Sequence, residues 1–174
     1  MSSTIVTVPP KPGPQLNKTL FRPFFDATSH VISTITGAEV TIGAPYRKKA
    51  PYQLFDVTGQ IVFYGGVIGT ACICLPGNTA DRLVMAFAGM PLVRGSADFA
   101  DAVGELANMI AGNAKRAFGV DASIMTPNVI LGQNTIAPPH TVPCIAIPGK
   151  CMLGEFTVEV CIKRLIETEG GEAL

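Results

Sequence analysis

IVFYGGVIGTACICLPGNTA, residues 61–80, is a run of 20 uncharged residues, and whether it forms one helix or two strands determines the architecture. Its length raises a membrane span, because about 20 apolar residues cross a bilayer as a helix. Its composition points elsewhere. Gly65-Gly66 separates two runs of strand-forming residues, and Pro76-Gly77 closes the second. That pattern is two β-strands joined by a tight primed turn. The stretch is read as a hairpin, and no membrane partner is expected.

Around this hairpin, AEVTIG, LFDVTGQIVFYG and VIGTACICL are three strand-like runs rich in Val, Ile, Thr and aromatics. A helix precedes them in FRPFFDATSHVISTIT, over Arg22–Thr36, with Pro23 suited to a first helical position and Gly37 to the stop. A second helix follows them in TADRLVMAFAG, with Asn78 as its N-cap and Gly89 as its stop. The longest helix runs from Ala97 to Phe118, with Ser96 as cap and Gly119 beyond its end. Three more strand-like runs come after it: ASIMTPNVILG, TVPCIAIPG and LGEFTVEVCIKRLI. The order is therefore helix and three strands, a bridging helix, then helix and three strands again. Short connections between strands favour antiparallel pairing, so the predicted class is α+β: a mainly antiparallel sheet with packed helices and a pseudo-duplicated helix-plus-three-strands plan. Residues 1–16 carry four prolines and no apolar period, which predicts a flexible N-terminal tail ahead of one domain over 17–174.

Thirteen Lys and Arg balance thirteen Asp and Glu among 174 residues, so the broad positive field that nucleic acid selects is absent. An apolar share of 48% against 15% charged predicts surface buried within the fold or against a second copy. No basic start leads into an apolar segment, so the expected location is the cytoplasm. The five cysteines, at 72, 74, 144, 151 and 161, lie mostly in strand-like runs and read as reduced, buried small hydrophobes. Cys72 and Cys74 share a strand face but do not form a CxxC pair, and His30 and His140 sit in separate segments. No metal site is expected.

The longest helix reads DAVGELANMIAGNAKRAF over residues 101–118. At ~100° per residue, Asp101, Glu105, Asn108, Gly112 and Lys115 fall within about 80° of one another. Phe99, Val103, Leu106, Ile110, Ala114 and Ala117 gather on the opposite side as a sheet-facing stripe. A polar face selected for solubility alone favours Glu, Lys or Gln at 108 and 112. Asn is instead a poor mid-helix residue, and Gly costs about 1 kcal/mol against Ala. Gly104 and Gly112, with Ala111 between them, would also thin the outward surface and let another molecule approach.

The spacing Asp101-x3-Glu105-x2-Asn108 resembles the D/S-x3-E-x2-N signature of the CheC, CheX and FliY chemotaxis phosphatases, and GELANMIAGNAK is similar to the CheX form of that helix. FRPFFDATSHVISTITGAEV and LFDVTGQIVFYGGVIGTACICL resemble the family's first helix and strand and its central strands, so the likeness spans residues 20–163. The proline that ends the CheC-type signature has its nearest match in Pro127, at an interval suited to the CheX branch. The resemblance implies hydrolysis of the aspartyl phosphate of a CheY-type response-regulator receiver domain. In that role Asn108 orients the attacking water and Glu105 pairs with the receiver's lysine, with Asp101, Gly112 and Lys115 as docking contacts. The protein would need no cofactor of its own, since the receiver brings Mg²⁺. A homodimer is also implied. A non-catalytic adaptor that binds a receiver through the same helix is the alternative. Aligning the first helix with the third sets Asp26, His30 and Ser33 against Asp101, Glu105 and Asn108, which predicts one working site per chain.

Overall fold

The computed structural model describes residues 18–50, 52–137 and 142–165. The tail read at 1–16 and His140 lie outside them. The elements are α1 (Lys18–Thr36), β1 (Thr41–Ile42), β2 (Tyr46–Arg47), β3 (Phe55–Gly65), β4 (Val67–Leu75), α2 (Gly77–Ala88), α3 (Ala97–Arg116), β5 (Ala122–Ile124), β6 (Asn128–Asn134), β7 (Ile145–Cys151) and β8 (Gly154–Arg164). The α+β class and the antiparallel sheet stand as expected; the plan of three strands per half does not. Each half has four among the described residues, because its leading strand-like region forms two short strands on either side of a proline, Pro45 or Pro127. A proline donates no ladder hydrogen bond, so pairing lapses there.

All three helices pack on one face of a single sheet ordered β1-β7-β8-β4-β3-β5, with β2 also on β7 and β6 also on β3. The halves exchange their short strands: β1 and β2 from the first half pair with β7 of the second, and β5 and β6 pair with β3. The β4–β8 pair runs from Val67↔Arg164 to Cys74↔Thr157 and sits at the centre of the strand order, where the two halves meet. Residues 61–80 do form a strand pair, though not with the tight turn expected. Pairing of β3 with β4 stops at Phe63↔Gly69, and beyond it Tyr64 and Gly65 turn to β5 while Val67 and Ile68 pair with β8. Gly65 takes φ +94°, which opens the connection. Among the described residues no helix is long and apolar enough to cross a membrane.

Helix ends follow local signals except where distant residues intervene. Gly37 (φ +65°) and Gly89 (φ +72°) end α1 and α2 as expected. Pro23, however, sits inside α1 and not at its start. Upstream Leu20 and Phe21 are buried, and two such side chains contribute about 3–6 kcal/mol, enough to offset the ~3 kcal/mol of an interior proline. Asn78 does not cap α2. Pro76 occupies the N-cap, and Asp56 of β3 accepts from the Gly77 N–H at 2.7 Å.

The helix-free face of the sheet carries a small polar core. Lys48 donates to Glu159 at 2.6 Å, to Thr135 Oγ1 at 3.0 Å and to the Ile136 carbonyl at 2.9 Å, with both members of the ion pair buried. Burial raises the Glu159 carboxyl above the usual carboxylate range, more than the Lys48 ammonium lowers it. Cys72 and Cys74 pack there with Phe55, and burial pushes the Cys72 thiol up to about 12, so it stays protonated and inert at neutral pH. The expectation of reduced cysteines holds for Cys72, Cys74 and Cys151. It fails for Cys144 and Cys161. The β7–β8 register continues to set these two opposite each other, and they are joined as a cross-strand disulfide.

Candidate functional site

α3 is fixed at both ends and along one face. Ser96 accepts from the Phe99 N–H at 3.2 Å, as its type predicts, Asp98 lies in the first turn, and Lys115 and Arg116 lie in the last, all in the sense the helix dipole favours. Phe99, Val103, Leu106, Ile110 and Ala114 are buried as expected. Ala117 is not: it is the C-cap and is exposed. Gly59 of β3 brings the helix close to the sheet, since a Cβ there would come within 3.1 Å of Ala107 and the Val103 carbonyl oxygen. Near the other end, Phe118 meets Phe24 of α1 and Phe63 of β3, with ring centroids 5.8 and 5.6 Å away. These contacts make α3 a stiff platform.

The five residues of the polar stripe come together on the outer face of that platform. Asp101 and Glu105 are exposed, and Asn108, Gly112 and Lys115 are half-buried. Asn108 Nδ2 donates to Glu105 Oε2 at 3.3 Å, so the amide and the carboxylate already face one another. The amide oxygen of Asn108 and its second N–H are left to act on another molecule. At Gly112 an added Cβ would meet nothing within 4 Å. Among the described residues nothing requires glycine there.

The expectation of a thin outward surface at Gly104 and Ala111 is not met. Both are buried, and a Cβ on Gly104 would lie 3.2 Å from Pro127. Gly104 thus serves the molecule's own packing: the connector between β5 and β6 folds back against α3. This contact creates a groove of about 470 Å³ along the Asp101–Glu105 side of the helix, with Thr126, Pro127 and Val129 as its far wall. The sequence reading missed Thr126 and Val129. The signal available for them was the proline interrupting ASIMTPNVILG, which marks a bend at the helix and not one straight strand.

Among the described residues no group of three or more His, Cys, Asp or Glu could hold a metal ion. A carboxylate and an amide at the surface of a rigid helix suit recognition of a cation and orientation of a small polar molecule. On α1 the aligned Asp26 and His30 are exposed and Ser33 is half-buried, but the Ser33 hydroxyl donates to the His30 carbonyl at 3.1 Å.

A model of the family described as chemotaxis phosphatase CheX matches residues 57–150. The crystal structure of a chemotaxis protein CheX from Desulfovibrio desulfuricans is similar at 36% identity, over 83% of this chain and 99% of that one, with a TM-score of 0.75. The chain belongs to the CheX branch of the CheC/CheX/FliY family. CheX from Vibrio vulnificus is similar at 27% identity, over 83% of this chain and 99% of that one, with a TM-score of 0.75. A third CheX, from Borrelia burgdorferi, was solved in a CheX-CheY-BeF3-Mg+2 complex; it shares this fold at 22% identity, over 83% of this chain and 98% of that one, with a TM-score of 0.71. No curated protein matches the chain.

Proposed function

We propose that this CheX-family protein hydrolyses the aspartyl phosphate of a CheY-type receiver domain, using α3 as its docking helix. The observation that carries the reading is the Asn108–Glu105 contact at 3.3 Å, exposed on a rigid helix in a chain matched to a chemotaxis phosphatase family. The Borrelia CheX, which was solved bound to CheY, supports a receiver as the partner.

The receiver supplies the phosphoryl group, the Mg²⁺ that neutralises its charge, and a lysine; the helix supplies geometry. Asn108 accepts one hydrogen bond from a water molecule and donates another to its surroundings, aiming a water lone pair at phosphorus for in-line attack. The P–O bond to the aspartate breaks as the water oxygen bonds, releasing inorganic phosphate and the free carboxylate. Glu105 leaves its amide partner for the receiver's lysine, a charge-assisted contact that sets the register. Asp101 and Lys115 flank this contact, and the bare Gly112 backbone allows close approach. Two such chains form a homodimer working in the cytoplasm, where receivers are phosphorylated, and light scattering at twice the 18.2 kDa chain mass would show it.

The test is to mix the protein with a receiver phosphorylated in the presence of Mg²⁺ and follow phosphoryl loss. Hydrolysis faster than that of the receiver alone is expected, and it should disappear in Asn108→Ala. Binding without acceleration in the wild-type protein would leave the adaptor reading in its place.

A further inference from the structure

The groove beside Asp101 and Glu105 is a feature that water orientation does not use. Its floor and walls are apolar: Ala100 and Gly104 of α3 face Pro127 and Val129 of the β5–β6 region. Its rim on the helix side is acidic, and Thr126, exposed, closes the rim opposite. Among the described residues neither Asp101 nor Glu105 forms an ion pair within the chain. The groove is continuous with the catalytic stripe, since Glu105 belongs to both.

We infer that this groove is a second contact for the receiver, accepting an apolar side chain from a segment that carries a lysine or arginine alongside to meet Asp101. The inference rests on the phosphatase reading for its partner and adds what selects that partner. The volume of about 470 Å³ exceeds one aliphatic or aromatic side chain and admits the backbone beside it. Charge fixes the rest of the occupant's chemistry. An acidic segment would be repelled by two carboxylates four residues apart on one helix face, and a purely apolar one would leave them unpaired. The Gly104–Pro127 contact fixes the far wall to the helix, so the width of the groove is set by packing inside the molecule and is present before the receiver arrives. Thr126 and Val129 thereby become specificity residues. They discriminate among receivers without touching the phosphoryl group.

The experiment measures steady-state hydrolysis of a Mg²⁺-loaded CheY-type receiver phosphorylated with a small-molecule donor, for the wild type, Thr126→Trp, Asp101→Asn and Asn108→Ala. Thr126 is exposed, so tryptophan fills the groove without entering the core, and a thermal melt confirms folding. Thr126→Trp is expected to raise KM about tenfold with kcat within a factor of two. Asp101→Asn should raise KM about threefold and flatten its dependence on salt. An unchanged KM in both variants, while Asn108→Ala abolishes the acceleration, overturns the groove and leaves the phosphatase reading standing. If the wild type binds the receiver without accelerating hydrolysis, the phosphatase reading fails alone, and the Kd of the unphosphorylated receiver decides the groove. A tenfold weaker Kd in Thr126→Trp supports it, and an equal Kd overturns it.

Discussion

α1 and α3 occupy equivalent places in the two halves of the molecule, yet only α3 carries the side chains that the proposed hydrolysis requires. Their outward stripes match in exposure: Asp26, His30 and Ser33 follow the same pattern as Asp101, Glu105 and Asn108. They differ in what the side chains reach. The Ser33 hydroxyl turns back to a carbonyl of its own helix, whereas the longer Asn108 amide bonds to another side chain and keeps free groups for a ligand. The helices also differ in length at one telling place. With Asp26 aligned to Asp101, Gly37 aligns to Gly112; the first ends α1 at φ +65°, and the second lies within α3, which continues to Arg116. Two helices alike in place and exposure therefore differ in which side chains they leave free for a ligand.

Four substitutions test the difference between the two helices. Asn108→Ala should carry the largest effect, lowering kcat about a hundredfold or more, as loss of one preorganised polar group from a reacting centre does. Its melting temperature should hardly move, because the amide is anchored only by an exposed carboxylate. Glu105→Ala should act next, raising KM about tenfold with a smaller effect on kcat, since a desolvated interfacial pair contributes more than an exposed one; a titration at two salt concentrations would show it. Gly112→Ala should act in opposite directions on stability and docking. It should stabilise α3 by up to ~1 kcal/mol, read as a higher melting temperature, while raising KM a few-fold because the added methyl projects toward the receiver. His30→Ala with Ser33→Ala should change the rate less than twofold. A tenfold loss in that double variant would mean that α1 is a working surface after all, and the contrast would collapse.

Local chemistry made much of this legible from sequence. Ser96, Gly37 and Gly89 act within one turn of the helix ends they mark, and the apolar spacing of α3 reports the sheet beneath it. The Asp101-Glu105-Asn108 spacing put the catalytic candidates on one face because helix geometry alone decides that. What the sequence hid depends on distant pairing. The N–H of Gly77 finds its acceptor in Asp56, 21 residues earlier; Cys144 meets Cys161 only through the β7–β8 register; and Gly104 is covered by Pro127, from a connector that lies beyond the end of α3. Pro23 misled for another reason: proline near a helix start is usually the start, but here buried Leu20 and Phe21 extend the helix upstream.

The exchange of short strands between the halves has a consequence for how the protein assembles. Thr41 must find Lys150, and Gln60 must find Asn128, before either edge of the sheet is complete. Neither half closes its own hydrogen-bond ladder. A chain cut between α2 and α3 would therefore yield two pieces that are each incomplete and that reassemble as a noncovalent pair. Such non-local closure also predicts slow folding for a molecule of this size. α3, placed at the start of the second half, packs fully only after β3 of the first half has arrived beneath it.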